Sequence, residues 1–239
     1  MRRSGTRGAR RRELEWLAAS ALLAVTSGCS SGNPAGAPAP GNPAAAELPY
    51  ASAVVSFEPG DEAGFGEDAF PDVVLGPPHG GGEQAGSLDV LSLGKGGSIV
   101  LGFEPYAIVD GAGADFVVFE NAFWPGGDPT AVFAEPGEVS VSEDGEEWRA
   151  FPCDAKGDGA GHFTGCAGIT PTEKYDAKSL LPLEPALSGG DAFDLADLGL
   201  ARVRFVKIRD RSNAGAAPTA GFDLDAIGIA TAERSDEEP

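Results

Sequence analysis

Glu138-Val-Ser-Val-Ser-Glu-Asp-Gly-Glu-Glu-Trp148, Ala201-Arg-Val-Arg-Phe-Val-Lys-Ile-Arg209 and Gly221-Phe-Asp-Leu-Asp-Ala-Ile-Gly-Ile229 are the three stretches whose reading decides the fold. In the first, Val139 and Val141 point one way and Ser140 and Ser142 the other, the period-2 alternation of a half-buried strand. Asp144-Gly145 then supplies a tight-turn signal, and Trp148 and Phe151 resume the apolar pattern, which predicts a hairpin. In the second stretch Arg204, Val206 and Ile208 share one face, with Val203, Phe205 and Lys207 on the other. Apolar residues on both faces predict a central strand. The third stretch places Phe222, Leu224 and Ala226 on one side and Asp223 and Asp225 on the other.

Working outward, 35 Gly and 19 Pro separate short apolar runs, which favours an all-β architecture over a helical one. No internal repeat or long amphipathic helix stands out. Residues 49–231 are long enough to bury one substantial core and are expected to form a single β-sandwich.

The three stretches resemble the discoidin-like, galactose-binding-like jelly rolls. The S-x-D-G-x-x-W hairpin of those domains is matched by Ser142, Asp144, Gly145 and Trp148, and the two later strands match as well. Further segments are similar to bacterial cell-surface proteins of this kind: Val74-Leu-Gly-Pro-Pro78, Ser92-Leu-Gly-Lys-Gly-Gly-Ser-Ile-Val-Leu101 and Asp115-Phe-Val-Val-Phe-Glu-Asn121. The resemblance implies a jelly-roll sandwich and leaves the ligand open, because that fold serves many ligands.

The chain opens with Arg2, Arg3, Arg7, Arg10, Arg11 and Arg12, then an apolar run from Trp16 to Val25 and Thr26-Ser-Gly-Cys29. A basic region, a short apolar region and small residues describe an export signal over residues 1–28, too short to span a bilayer. Cys29 directly after Gly28 resembles the acylated cysteine of a bacterial lipoprotein, although Thr26 departs from the usual Leu. A plain secretory signal and a twin-arginine signal at Arg11-Arg12 are the alternatives. Residues 29–48, rich in Pro, Gly, Ala and Ser, read as a semi-extended tether, and residues 232–239 as an acidic tail. The expected location is therefore outside the cytoplasm, anchored by lipid to the outer membrane or cell surface.

The formal charge is -20, and removing six Arg and two Glu with residues 1–28 leaves 11 basic and 35 acidic side chains, or -24. Such a chain will not bind nucleic acid through charge. In an exported protein the remaining pair, Cys153 and Cys166, reads as a disulfide around a Gly-rich loop. Two free thiols, or a metal site with His162, are the alternatives. The two histidines, His79 and His162, lack a nucleophile elbow nearby, so no triad is expected and the chain reads as non-catalytic. A carboxylate-pair enzyme acting on polysaccharide stays as an alternative.

Hard cations take six to eight oxygens, which makes Asp110, Asp115, Glu120, Asn121, Asp223 and Asp225 the candidate ligands of a calcium ion. The resemblance also implies a structural calcium near one end of the sandwich. In the opposing reading Asp115 and Asp223 cap turns and pair with Arg202, Arg204 or Arg209. Asp191, Asp194 and Asp197 read as a solvated face or an N-cap. Trp124, in the loop signal Ala122-Phe-Trp-Pro-Gly-Gly-Asp-Pro129, and Tyr175 are candidates for stacking on a ligand, although Trp124 would equally serve as a lid on the core. The expected function is a surface lipoprotein whose end loops bind a glycan or a surface protein; an envelope spacer is the alternative.

Overall fold

The computed structural model describes residues 50–158, 162–173, 183 and 185–235. The export signal, Cys29, the tether and Tyr175 lie outside the described residues. Strands run in chain order as β1 (Ala53–Glu58), β2 (Leu91–Ser92), β3 (Ser98–Gly102), β4 (Tyr106–Val109), β5 (Phe116–Glu120), β6 (Gly137–Ser142), β7 (Arg149–Ala150), β8 (Asp191–Phe193), β9 (Arg202–Val203), β10 (Phe205–Asp210), β11 (Asp223–Ile229) and β12 (Ala232–Arg234). They form a five-stranded sheet in the order β1-β3-β10-β6-β7, a four-stranded sheet β2-β11-β5-β8 and a three-stranded sheet β12-β4-β9. The strand pairs are antiparallel.

The fold is an all-β sandwich, and its core lies between the two larger sheets. Ile99 and Leu101 of β3, Val139 and Val141 of β6, and Val206 and Ile208 of β10 meet Leu91, Phe116, Val118, Leu224, Ile227 and Ile229 of the four-stranded sheet. Full burial of each such side chain contributes about 1.5–3 kcal/mol. A second apolar cluster, Tyr50, Val117, Phe119, Leu183 and Ala226, covers the other face of the four-stranded sheet. That sheet is therefore buried on both sides, which is why β5 and β11 are buried at every position.

The expected hairpin forms, with Val141 opposite Arg149 and Ser140 opposite Ala150. Asp144 closes its turn by accepting from the N–H groups of Glu146 and Glu147, while Gly145, at φ 80°, adopts a left-handed conformation that glycine tolerates without strain. Phe151 enters the core against Phe116 and Phe193, with ring centroids 6.0 and 4.9 Å away. Trp148 stays half-buried on the outer face, with the Lys207 ammonium 4.0 Å from its ring centre. The strand expected to be central, β10, is third of five and pairs with both β3 and β6.

Two expectations need correction. A register shift between Leu224 and Ala226 puts an extra residue, Asp225, into β11, so Leu224 faces the main core and Ala226 the second cluster. The simple alternation that grouped Leu224 with Ala226 fails there because a bulge reverses the side on which every later residue emerges. The acidic tail also begins later than residue 232. Ala232–Arg234 pair with β4 as a strand, and the Arg234 guanidinium lies 5.7 Å from the Tyr106 ring centre.

Cys153 and Cys166 form a disulfide with a Cα–Cα distance of 4.6 Å. It ties the segment after β7 to the strand-like bridge that Ala167 makes with Gly137.

Candidate functional site

The sandwich brings many of its acidic side chains inside: Asp115, Glu120, Glu135, Asp210, Asp223 and Asp225 are all buried. A buried carboxylate is costly unless hydrogen-bond donors or an opposite charge meet it. Donors sort these residues into two kinds.

In the first kind, backbone N–H groups meet the carboxylate and the residue is a structural clamp. Asp115 accepts from Gly111 N at 2.8 Å and from Leu195 N at 2.8 Å, which joins the turn before β5 to the segment after β8. Burial still lifts its pKa above the ordinary value, against the pull of these two bonds. Asp225 takes the His79 N–H on both oxygens at 2.9 and 3.0 Å, fastening the 79–89 loop to the bulge of β11, and burial pushes its pKa to about 7. Asp210 accepts from the N–H groups of Gly96, Ser212 and Phe222. Asp191 accepts from Gly168, Ile169 and Thr170 and is pushed by burial to about 6. Asp191 is thus a clamp rather than part of a solvated face, whereas Asp194 is the N-cap expected of it, accepting from Ala196 N at 2.8 Å.

The second kind is a cluster at one end of the sandwich. Glu120 closes β5, Asp223 opens β11, Ser92 closes β2, and Glu135 stands just before β6. The register makes the first three neighbours, since Leu224 pairs with Glu120 and Asp223 with Ser92. Glu120, Glu135 and Asp223 are 2%, 3% and 6% exposed. Ser92 Oγ donates to Asp223 Oδ1, and Asn121 Nδ2 donates to Asp223 Oδ2 at 3.4 Å. Glu120 Oε1 receives a long bond of 3.4 Å from Asp223 N, while Glu120 Oε2 is buried with no hydrogen-bond partner, as is Asn121 Oδ1. The negative charges act on one another. Burial, then Asp223, then Glu135 push Glu120 well above the usual carboxylate range, and burial with Asp223 and Asp210 pushes Glu135 to about 8. No arginine or lysine ion pair reaches the cluster among the described residues. Arg202 pairs with Glu143 at 3.7 Å, Arg204 with Glu104, and Arg211 with Glu138 at 3.1 Å.

The six residues expected to bind calcium therefore separate into three places. Asp110 and Asp115 lie with Asp194, the three carboxylates having oxygens within 4.8 Å of one another. Glu120, Asn121 and Asp223 lie in the end cluster, and Asp225 holds the 79–89 loop. In the Asp110 group Asp115 and Asp194 also accept backbone N–H groups, from Gly111 and Leu195 and from Ala196. Sequence reading missed Glu135, because Phe133-Ala-Glu-Pro-Gly137 has no periodicity to place its acid inside.

Two loops cover this end. Trp124 N donates to Glu83 O at 2.7 Å, and a Cβ added to Gly86 would lie 2.4 Å from Asn121 Oδ1, so the 79–89 and 121–136 segments are in contact. Phe123 and Phe133 stack at 5.0 Å and pair through their backbones, folding the second loop back on itself. Trp124 is half-buried, Phe133 is 44% exposed and Leu88 is 85% exposed. Each histidine ring meets a carboxylate at the surface, His79 Nδ1 lying 3.1 Å from Asp89 Oδ2 and His162 Nδ1 2.7 Å from Asp158 Oδ2.

No family model and no curated protein matches this chain. Among solved structures, one described as a glycoside hydrolase is similar over 58% of this chain and 22% of its own length, at 11% identity and a TM-score of 0.25. This chain thus spans under a quarter of that structure, and a likeness so slight carries no inference about activity.

Proposed function

We propose that this chain is a non-catalytic binding module, exported and held at a membrane surface through lipid on Cys29, whose end loops recognise a glycan. The observation that carries this reading is the pair of interlocked loops, residues 79–89 and 121–136. They present Trp124 and Phe133 at one end of a rigid sandwich. Aromatic rings offer a flat apolar face to a sugar ring, and loops on a stiff scaffold are where recognition residues concentrate. A non-catalytic role is supported by the burial of Glu120 and Glu135, since carboxylates 2% and 3% exposed cannot touch a polysaccharide in solution. A protein ligand is the second reading, favoured by Leu88, whose exposed aliphatic side chain has no counterpart in sugar recognition.

A glycan array probed with the purified chain, and with Trp124→Ala and Phe133→Ala, tests this reading. Binding to one glycan class that both substitutions weaken at least tenfold, with the fold intact, is expected. Binding that neither substitution alters would place recognition elsewhere, and capture of a surface protein with no glycan bound would favour the second reading. Membrane fractionation of Cys29→Ser tests the tether: the substitution should release the chain, and unchanged attachment would remove the lipid anchor from the proposal.

A further inference from the structure

The segment that follows β7 and the residues of β8 and the turn beyond it line a cleft of about 740 Å³. That volume falls in the range of about 300–1,000 Å³ usual for small-molecule sites. Its floor is aromatic and fixed. Phe151 and Phe193, 5% and 7% exposed, pack on each other with ring centroids 4.9 Å apart, and both pack on Phe116 of the core. The walls are fixed as well. On one side the Cys153–Cys166 disulfide and the bond from Asp154 N to Thr164 O, 3.0 Å, hold the chain, and a Cβ on Gly165 would lie 2.1 Å from Pro152 O, so only glycine lets that loop close. On the other side the short side chain of Ala192 is exposed and leaves the space open, while Asp194 caps the turn that carries Asp197.

We propose that this cleft binds a small organic cation, an ammonium group carried on an aryl or short alkyl body. Two exposed carboxylates, Asp154 and Asp197, line it, and no lysine, arginine or histidine does. Among the described residues neither carboxylate has a cationic partner. The apolar body of such a ligand meets Phe151, Phe193, Pro152 and Ala192, and its ammonium is drawn both to the carboxylates and to the negative faces of the rings. Two other classes of ligand fit worse. A sugar needs side-chain donors as well as acceptors, and the side chains lining the cleft offer one donor, the Thr164 hydroxyl, beside two anions. An anionic ligand is repelled by both carboxylates and by a chain of formal charge -20. The cleft shares no residue with the 79–89 and 121–136 loops, so it stands independently of the glycan reading.

Calorimetric titration of the full chain at low salt tests this with 2-phenylethylamine, 2-phenylethanol and 3-phenylpropionate, which share a phenyl ring and carry a positive charge, no charge and a negative charge. About one amine per chain is expected, held roughly tenfold or more tighter than the alcohol, with the carboxylate probe weakest. Asp154→Asn combined with Asp197→Asn should bring the amine down to the level of the alcohol, because the apolar floor remains and the charge does not. Ala192→Phe, which fills the cleft, should abolish binding of both. All three positions are exposed, so thermal melting of these variants should match the wild type. Absence of amine binding to the wild-type chain would overturn the proposal outright. Equal affinity for the three probes would overturn the cationic ligand. Amine binding that survives both the double substitution and Ala192→Phe would overturn the site, leaving diffuse attraction to an acidic surface.

Discussion

Asp223 N donates to Glu120 Oε1 at 3.4 Å, a bond that fixes the end of β5 to the start of β11 and leaves Glu120 Oε2 buried and unmet. The same contact sets the two carboxylates against each other, and Asp223 is the largest electrostatic contributor, after burial, to the raised pKa of Glu120. Where no cation is supplied, each charge in this cluster is a cost of folding.

The first prediction follows. In chelator, Glu120→Gln should be more stable than wild type, since the amide removes the charge that burial, Asp223 and Glu135 disfavour. Denaturant unfolding at neutral pH measures it. A loss of stability in chelator would mean that the carboxylate is satisfied in a way the hydrogen bonds do not account for.

Asp191 gives a pH prediction with a definite sign. Its ordinary pKa of 3.8 rises to about 6 in the folded chain, because burial outweighs the donors Ile169, Thr170 and Gly168. An acid that holds its proton more tightly when folded stabilises the fold at low pH, so its contribution is full below about pH 4 and is lost as pH rises through about 6. The span corresponds to about 3 kcal/mol. Asp191→Asn keeps an acceptor and cannot titrate. Unfolding free energies between about pH 4 and 7.5 should therefore fall more steeply for wild type than for the variant, and parallel curves would show that Asp191 is ionised throughout.

How much of this was legible in the sequence depends on how local the cause is. The hairpin was legible because Val139, Val141 and the Asp144-Gly145 turn carry it within a dozen residues, and the central place of β10 was legible from Val206 and Ile208. The bulge at Asp225 was not, since one inserted residue changes which face Ala226 meets without changing the composition around it. The fate of each acid was also hidden. Asp115 and Asp223 look alike in sequence, yet Leu195 N, eighty residues along the chain, reaches one and no backbone donor reaches the other. Glu135 gave no signal because a Pro-Gly coil has no period to betray burial.

The disulfide should contribute measurably to stability. Cys153 and Cys166, 13 residues apart, close the loop beside the buried Ala167. Cutting a native bridge in a small exported domain removes about 2–5 kcal/mol. Cys153→Ser should lower unfolding free energy by that amount, and reduction of wild type should lower it comparably. A Cys153→Ser variant as stable as the oxidised wild type would show that the loop is held by its backbone bonds, such as Asp154 N to Thr164 O at 3.0 Å, and not by the bridge.

Asp115 supplies the last prediction and separates a clamp from a ligand. Its two oxygens each take one backbone N–H, from Gly111 and Leu195, so Asp115→Ala strands two donors, and the Leu195 bond is buried. Hydrogen bonds to a charged group are worth about 1.5–3 kcal/mol each, and a buried donor left unmet adds its desolvation. A stability loss of about 3 kcal/mol or more is expected, equal in calcium and in chelator, because the role is to bind backbone and not metal. Asp115→Asn, which keeps one acceptor oxygen, should lose roughly half as much. If the loss in Asp115→Ala appeared only in calcium, with the chelated proteins equally stable, Asp115 would be a cation ligand and the two N–H bonds a minor part of its role.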